Sequence, residues 1–303
     1  MPGVRETLAA RIARMRGAAF ALIAAAFAIA GSAAATTNPP RRIVSLAPAV
    51  TETLFALGAG GEVVGVSQYC DYPPEVAHLP RVGSFLTPNV EAIAGLRPDL
   101  IIGPGLTSNQ REVRALQTMG YPTLTIDDNS LAGIEQSISL IGARTGREQE
   151  AARLLATIQA HIESVRARLA HTRPRTVVML VGHQPIVAVG RGTFLDGLLK
   201  LAGGDNLAEL SDQGWPHLSL EYIIAMRPEV ILDGAMGSDA STASGFWARY
   251  PNVPAVRDHR VYGYPQDPML QPGPRVWQSL EILARRIHPE AFAALSDMPG
   301  AAR

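Results

Sequence analysis

The chain has 303 residues, with 27 basic and 27 acidic side chains and 47% apolar residues. That apolar share is enough for a packed core, which excludes a wholly disordered chain, and the length allows one large domain or two of ordinary size. A formal net charge of zero argues against a polyanionic partner such as nucleic acid. The single cysteine, Cys70, excludes an intrachain disulfide and any metal site built from several thiolates.

The first 35 residues have the order of a secretory signal peptide. Four arginines and one glutamate within the first 16 residues precede an uncharged run at 17–30 and small residues at 31–35. As a helix, the uncharged run would rise about 21 Å, which is shorter than the hydrocarbon core of about 30 Å and disfavours a permanent anchor. No cysteine stands directly after the cleavage region, so lipid attachment there is not supported. We predict cleavage near Ala35 and a mature protein that works outside the cytoplasm.

Short apolar runs alternate with helical stretches along the rest of the chain. The pattern predicts a helix at 50–57, closed by Gly58. It also predicts short buried strands at 42–46, 63–67, 99–103, 122–126, 176–181 and 260–263. Strands that alternate with helices indicate an α/β fold whose mainly parallel sheets are covered by helices on both faces.

An internal repeat divides this α/β pattern into two halves. Residues 90–102 read VEAIAGLRPDLII and residues 220–232 read LEYIIAMRPEVIL, with five of thirteen positions identical at an offset of 130. Asn89 and Ser219 precede the two copies as helix caps, and the Arg-Pro pair in each copy ends a short helix before an apolar strand. Two copies of one unit predict two similar lobes.

A long helical segment lies between the two halves. Apolar residues recur every three or four positions from Leu154 to Leu169, and residues 148–170 contain no Gly or Pro. Such a helix would extend about 34 Å, so the connection is a rod rather than a flexible linker and allows only limited hinge motion. We predict an N-terminal lobe at 36–130, a connecting helical segment at 131–172 and a C-terminal lobe at 173–303.

The usual sequence signals of enzymes and metal sites are absent. The chain has no phosphate-binding loop, no complete G-x-G-x-x-G, no G-x-S-x-G and no H-E-x-x-H. The seven histidines contain no pair at helical spacing, which argues against a helical metal site. Cys70 has no neighbouring base in the sequence and is best interpreted as a packed thiol. We therefore predict that the protein is not an enzyme and has no resident cofactor.

Aromatic residues and prolines accumulate instead in loops that follow or precede predicted strands. Tyr69 to Pro74 (YCDYPP) follows the strand at 63–67, and Phe85 and Trp215 each precede one copy of the repeat. A proline-rich segment, 265–275, follows the strand at 260–263. Ligands of open α/β sheets bind beyond the carboxyl ends of the strands, so these loops are expected to form a binding cleft.

Two sequence motifs together resemble a known protein family. One is the run at 42–75 (RIVSLAPAVTETLFALGAGGEVVGVSQYCDYPPE), and the other is the repeated pattern (V/L)-E-x-I-x-x-(L/M)-R-P-(D/E). Both are similar to the helical-backbone substrate-binding proteins of ABC importers for cobalamin, haem and ferric siderophores, over about residues 41–288. That family has two lobes joined by a rigid helix, and the YCDYPP stretch is most similar to its cobalamin-binding branch.

The resemblance implies a ligand held between the lobes by aromatic faces and loop backbone. It places ligand contacts at Pro48, Ala49, Tyr69, Phe85, His183, Trp215, Asp267, Pro268, Met269, Leu270 and Gln271. Such walls suit a broad, flat and largely uncharged macrocycle. The chain departs from the branch at Phe85, where tryptophan is typical, and at Gln271, where arginine can occur, so the identity of the ligand stays open.

His183 has two interpretations. It is either a loop histidine satisfied by its surroundings or, with neutral imidazole as the donor, an axial ligand to a cobalt or iron in the cleft. Haem-binding members of the family use His or Tyr in this way, so the resemblance makes Tyr69 the second candidate axial ligand.

Glu91 and Glu221 are the corresponding acids of the two repeats. If Asn89 and Ser219 are the caps, each Glu is the second helical residue, one position short of the capping-box site. One interpretation is a favourable interaction with the helix dipole. The resemblance implies another, in which one Glu on each lobe meets arginines on the two permease subunits.

Together these observations predict a monomeric periplasmic component of an ABC importer that captures cobalamin between two lobes and delivers it to a permease dimer. Haem or a ferric siderophore is the alternative ligand. A secreted enzyme that uses the same cleft is the alternative of a different class.

Overall fold

The architecture follows from a computed structural model, which describes residues 38–210, 213–234, 240–264 and 266–293. The predicted signal peptide, residues 1–35, lies outside the described residues. Among the described residues, no helix combines the length and the apolar character needed to cross a membrane.

The N-terminal lobe is built on a parallel sheet. Its strands run in the order β2-β1-β3-β4, with Ile43 of β1 beside Val63 of β2 and Leu100 of β3. They are β1 (Ile43–Ser45), β2 (Val63–Val66), β3 (Leu100–Pro104) and β4 (Thr123–Ile126). The burial of β1 and β3 on both faces explains why they appear in the sequence as continuous apolar runs.

The C-terminal lobe repeats this arrangement with one addition. Strands β7, β5, β8 and β9 are parallel neighbours in that order, while β6 pairs antiparallel with the end of β5. The strands are β5 (Arg175–His183), β6 (Ile186–Ala188), β7 (Gly204–Asn206), β8 (Val230–Asp233) and β9 (Val261–Gly263). The strand order of the two lobes therefore corresponds, and the antiparallel β5–β6 hairpin is specific to the C-terminal lobe.

Helices cover the sheets and connect the lobes. They are α1 (Pro48–Ala56), α2 (Val90–Gly95), α3 (Gln110–Thr118), α4 (Leu131–Thr145), α5 (Glu148–Leu169), α6 (Phe194–Leu201), α7 (Leu220–Met226), α8 (Ala240–Trp247), α9 (Pro254–Arg257), α10 (Gln266–Met269) and α11 (Val276–Ile287). Short 3₁₀ turns lie at Gly60–Glu62, Pro74–His78, Thr107–Asn109, Leu207–Leu210 and Pro289–Phe292. The connecting rod is α5, which packs against α4, α6 and α11.

Helix α1 begins earlier than its periodicity predicts. The sequence pattern indicated a start at Val50, whereas the structure begins the helix at Pro48. Proline is favoured in the first turn because its missing N–H and its fixed φ cost nothing there. Pro48 and Ala49 are therefore the first two residues of α1, close to the carboxyl end of β1.

The repeat prediction is confirmed by the local contacts at both copies. The Asn89 side chain accepts from the Ala92 N–H at 3.0 Å, and the Ser219 hydroxyl accepts from the Tyr222 N–H at 3.1 Å, so both residues cap their helices. The residue before each repeat proline is left-handed, with φ of 45° at Arg97. Arg227 is also left-handed, with φ of 52°.

An acid at the end of each repeat binds backbone at the start of the central strand. The Asp99 carboxylate accepts from the N–H groups of Arg41 at 2.9 Å and Arg42 at 3.0 Å. Glu229, 130 positions later in the sequence, accepts from the Thr176 N–H at 3.0 Å and pairs with Arg173. Each repeat therefore carries the residue that anchors its own central strand.

One hydrophobic cluster extends through both lobes. It joins Ile43 and Val50 of the N-terminal lobe to Val177 and Leu198 of the C-terminal lobe, with Ile158 of α5 in the same cluster. Each lobe has a second, separate cluster on the other face of its sheet. Because the connecting helix shares its core with both lobes, a large opening would expose apolar surface to water.

Candidate functional site

A cavity of about 1180 Å³ lies between the two lobes. Its walls come from segments that follow the carboxyl ends of strands in both sheets, as expected for an open α/β sheet. The cavity is larger than the roughly 300–1,000 Å³ of pockets that hold drug-sized ligands. Eight of the residues predicted to contact a ligand line this cavity: Pro48, Ala49, Tyr69, Phe85, His183, Trp215, Leu270 and Gln271.

The wall on the N-terminal lobe is mostly apolar. Pro48 and Ala49 form the first turn of α1, and the Tyr69 and Phe85 rings contact each other with centroids 5.5 Å apart. Tyr69 is 47% exposed, so much of its ring is free to meet a ligand. The pair forms an aromatic surface on which a flat ligand can stack.

The wall on the C-terminal lobe contains an oriented histidine. His183 ends β5, and its Nε2 lies 2.7 and 2.8 Å from the two oxygens of the fully buried Asp233 carboxylate at the end of β8. Trp247 Nε1 donates to the same carboxylate at 2.8 Å, and the Phe246 ring lies edge-on to the imidazole at 4.9 Å. Because a carboxylate accepts hydrogen bonds, Nε2 donates and Nδ1 is the nitrogen that remains for a ligand.

Trp215 is held at the cavity by backbone hydrogen bonds on both sides of it. The Gly190 N–H donates to the Gly214 carbonyl at 2.8 Å, and the Ala188 N–H donates to the Pro216 carbonyl at 3.0 Å. The indole itself is 45% exposed. An exposed tryptophan on a fixed backbone offers a second stacking surface opposite the aromatic pair of the other lobe.

Three residues of the predicted late contact loop do not line the cavity. Met269 is fully buried in the shared core, and the Pro268 carbonyl accepts a hydrogen bond from Ser279 at 3.1 Å. The Asp267 carboxylate is paired with Arg275. The backbone at Asp267 is non-helical, and of the five predicted contacts at 267–271 only Leu270 and Gln271 line the cavity.

Next to this loop, Arg275 connects the two lobes. Its guanidinium binds both oxygens of Glu52 on α1, with N–O distances of 2.8 and 2.6 Å, and lies over the Tyr72 ring at 4.2 Å. Burial raises the pKa of Glu52, and the hydrogen bonds from Arg275 offset part of that rise. The same contacts raise the pKa of Arg275, so the guanidinium stays charged. This bidentate pair, together with α5, holds the lobes in one arrangement.

Several cavity residues carry no motif and were missed in the sequence. They are Asp128, Asn129, Gln184, Arg191 and Thr193, among others. Asp128 and Asn129 follow β4, so the rule that ligands bind beyond strand ends could have identified them. Arg191 lies between β6 and α6, and β6 was itself not predicted.

Glu91 and Glu221 lie away from the cavity at the exposed ends of α2 and α7. Each is the second residue of its helix, and the N–H groups that the capping side chains bind belong to the following residues, Ala92 and Tyr222. Among the described residues, neither carboxylate has a hydrogen bond or an ion pair. The two acids are therefore presented to solvent by equivalent helices of the two lobes.

A site built from protein metal ligands is not found in the described part of the chain. No three of its His, Cys, Asp and Glu residues lie close enough together to hold a metal ion. Cys70 is buried and accepts a hydrogen bond from the Thr51 hydroxyl at 3.2 Å. Burial raises the pKa of the Cys70 thiol, which disfavours the reactive thiolate.

Comparison with known sequences identifies relatives along most of the chain. The profile of a family described as periplasmic binding protein matches residues 43–268. The chain is 31% identical over 263 residues to the uncharacterized ABC transporter substrate-binding lipoprotein YvrC of Bacillus subtilis, which covers 84% of this chain and 82% of that protein. It is 29% identical over 222 residues to the vitamin B12-binding protein of Pectobacterium atrosepticum, which covers 72% of this chain and 80% of that protein.

Solved structures of similar fold include binders of more than one ligand. The vitamin B12-binding protein BtuF of Vibrio cholerae superposes with a TM-score of 0.74 at 27% identity, over 84% of this chain and 99% of that one. The haem-binding protein RhuT of Roseiflexus sp. RS-1, in its apo form, gives a TM-score of 0.73 at 31% identity, over 83% of this chain and 99% of that one.

Proposed function

Because this chain belongs to the periplasmic binding protein family of ABC importers, we propose that it captures cobalamin between its lobes for delivery to a permease. The observation that carries the proposal is the large cavity whose two walls present Tyr69 with Phe85 on one side and Trp215 on the other. A corrin ring is a broad macrocycle, and aromatic faces on opposite walls suit stacking against it. Relatives named as vitamin B12-binding proteins support the same choice.

A panel of ligands tests this proposal. Purified mature protein is titrated separately with cyanocobalamin, haemin and a ferric siderophore, and binding is followed by calorimetry and absorbance. We expect saturable binding of cyanocobalamin with one ligand per chain. Tight binding of haemin with a shift of its Soret band, and no binding of cyanocobalamin, contradicts the proposal.

A matched pair of variants connects the measured binding to the cavity. Tyr69→Ala removes a cavity aromatic that is 47% exposed, and Tyr222→Ala removes one that is 42% exposed but lies outside the cavity. We expect weaker binding of cyanocobalamin by the first variant and unchanged binding by the second. Equal effects of the two changes would place the ligand elsewhere.

Haem is the second candidate ligand, and the orientation of His183 favours it. A histidine that ligates a metal commonly donates its other ring N–H to a carboxylate, as His183 does to Asp233. His183 and Tyr69 both line the cavity, and imidazole and phenolate are side-chain groups that ligate iron. If haemin binds, His183→Ala and Tyr69→Phe should each be compared with the parent protein by the position of the Soret band.

For delivery, we propose that Glu91 and Glu221 dock the protein onto the two halves of a permease dimer in the inner membrane. Both acids are exposed, and α2 and α7 present them equivalently in the two lobes. The double variant Glu91→Ala with Glu221→Ala should lose transport of cyanocobalamin in cells while its affinity for the ligand in solution is unchanged. Normal transport by that variant would reject the docking role.

The proposed setting is the periplasm, with a cleaved leader at 1–35 and a monomeric mature protein that carries no resident cofactor and catalyses no reaction. Subcellular fractionation tests the location, and mass spectrometry of the processed chain tests the cleavage. Size-exclusion chromatography with light scattering tests the monomeric state. Steady turnover of a ligand by the isolated protein would instead favour a secreted enzyme.

A further inference from the structure

The cavity carries two charged side chains of opposite sign on opposite lobes. Of the described residues that line it, only Asp128 and Arg191 have a formal charge with histidine taken as neutral. Asp128 lies between β4 and α4, and Arg191 lies between β6 and α6. Their charges cancel, so the wall of the cavity is electrically balanced.

Asp127 and Asp128 are adjacent acids, and only Asp127 accepts hydrogen bonds from a neighbouring residue of the loop. The Asp127 carboxylate accepts hydrogen bonds from the N–H and the side-chain amide of Asn129, at 3.0 and 2.8 Å. No side chain among the described residues donates to Asp128. The half-buried carboxylate therefore lacks a side-chain donor. Burial raises its pKa, the hydrogen bond from its own backbone N–H offsets part of that rise, and the neighbouring Asp127 adds to it. A ligand N–H would supply what it lacks.

The Arg191 guanidinium has one ion-pair contact among the described residues, and that contact is through its Nε. Its Nε lies 3.5 Å from a Glu209 oxygen, and Lys200 binds the same oxygen more closely, at 2.8 Å. In the described part of the chain, the two terminal nitrogens of Arg191 have no hydrogen-bond partner. They are donors in a planar fork, and Arg191 is a lining residue of a cavity whose wall is otherwise largely apolar.

We propose that Asp128 and Arg191 select a ligand whose rim carries uncharged carboxamide groups, with Asp128 accepting amide N–H and Arg191 donating to amide carbonyls. This inference rests on the proposed function, because the corrin ring of cobalamin is edged by acetamide and propionamide groups. An amide offers a donor and an acceptor, so one type of group satisfies both residues. Ligands edged by carboxylates, such as the propionates of haem, satisfy Arg191 but are repelled by Asp128.

Calorimetry with cyanocobalamin and with more acidic derivatives of it tests the selection. The probes are cyanocobalamin and its mono-acids, in which one propionamide is hydrolysed to a carboxylate, titrated into the mature protein and its variants. Asp128→Asn should weaken binding of cyanocobalamin about threefold to tenfold and reduce the preference for the amide over at least one mono-acid. Arg191→Gln should weaken binding of cyanocobalamin by a similar factor, and Arg191→Lys should weaken it less.

Matched changes of charge away from the cavity serve as controls. Asp205→Asn in β7 and Arg153→Gln on α5 remove exposed charges that do not line the cavity, and they should leave both affinities unchanged. Thermal unfolding of each variant shows whether it is folded. Parent-like affinities and an unchanged amide preference in Asp128→Asn and Arg191→Gln overturn the inference alone. Failure of the parent protein to bind cyanocobalamin rejects the proposed function and the inference with it.

Discussion

The two lobes share one framework but differ at the end of the central strand. In the N-terminal lobe, β1 leads directly into α1, whose first turn reaches the cavity. In the C-terminal lobe, β5 is longer and turns back into β6 before α6 begins. This hairpin carries His183, Gln184 and Pro185 into the cavity.

The difference separates what holds a lobe together from what contacts a ligand. Strand order, helix caps and the strand-anchoring acids Asp99 and Glu229 correspond in the two lobes, and they lie away from the cavity. The residues that reach the cavity do not correspond, because one wall is an aromatic pair and the other holds the His183–Asp233 pair and Trp215. The repeated framework provides stability, and the segments after the strands provide the site.

The largest effect should come from breaking the contact that joins the lobes. Arg275→Ala leaves the buried Glu52 carboxylate without its bidentate partner, since the Glu52 side chain is 3% exposed. We expect the free energy of unfolding to fall by about 3–5 kcal/mol, measured by urea denaturation.

A second ion pair serves as the control for Arg275. Arg147 and Glu62 pair at 3.0 Å with both side chains 29% exposed, so Arg147→Ala should cost about 1 kcal/mol or less. The double variant Glu52→Gln with Arg275→Met should be more stable than Arg275→Ala, because it leaves no buried charge unpaired. A loss for Arg275→Ala no larger than that for Arg147→Ala would show that the lobes do not depend on this contact.

The next largest effect is expected on ligand affinity when a stacking surface is removed from one wall of the cavity. Trp215→Ala should weaken binding of cyanocobalamin by about 2 kcal/mol, because no other aromatic residue contacts the indole in the described part of the structure. Tyr69→Ala should cost less, since Phe85 lies beside it and keeps part of the aromatic surface. Calorimetric titration of both variants measures the difference, and a larger loss for Tyr69→Ala would reverse the assigned importance of the two walls.

A smaller effect on stability is expected from the acids that anchor the central strands, Glu229 and Asp99. The hydrogen bonds from Arg173 lower the pKa of Glu229 to about 2, from an ordinary value of 4.5. Because the pKa of Glu229 is lower in the folded than in the unfolded state, its ionised carboxylate stabilises the folded state above pH 4.5. That stabilisation is lost as the pH falls towards 2. Glu229→Gln should therefore cost about 1 kcal/mol at neutral pH, and its stability should approach that of the parent protein in acid.

Asp99→Asn is the matched change in the other lobe. Asparagine keeps an oxygen that can accept from the Arg41 and Arg42 N–H groups, and among the described residues Asp99 has no ion pair to lose. Its cost should be smaller than that of Glu229→Gln in chemical denaturation at neutral pH. Equal costs would indicate that the pair with Arg173 adds nothing to the anchor.

The smallest effects should come from the two helix caps. Asn89→Ala and Ser219→Ala each remove one capping acceptor from a short helix and should lower stability by about 0.5–1 kcal/mol, by equal amounts in the two lobes. Ser139→Ala removes a hydroxyl that donates to the Glu135 carbonyl on the exposed face of α4, and it should change stability little. Unequal costs for the two caps, measured by thermal unfolding, would break the equivalence of the repeats.

The shared framework could be predicted from the sequence because its signals are local. Asn89 and Ser219 stand directly before the helices that they cap, and the apolar spacing from Leu154 to Leu169 identifies α5. Their effect requires only residues a few positions away, so periodicity and capping preferences are sufficient. The α/β class and the two lobes follow from these local signals.

The site was less predictable because its contacts are distant in sequence. Arg275 and Glu52 are 223 positions apart, and nothing in either segment indicates that they pair. The short β6 strand, Ile186–Ala188, was missed since three residues carry little periodicity, and with it the position of Arg191 was missed. Met269 of the late loop packs its apolar side chain in the core instead of the cavity, which the proline-rich sequence around it did not indicate.

The double connection between the lobes has a consequence for the heat capacity of binding. Helix α5 shares the core of both lobes, and Arg275 binds Glu52 across them, so we expect the cleft to change shape little when a ligand binds. Little protein must then become ordered on association, which keeps the entropic cost small. Calorimetry at several temperatures should therefore give a heat capacity change set by the apolar surface that ligand and cleft hide from water, with no added contribution from folding of the chain.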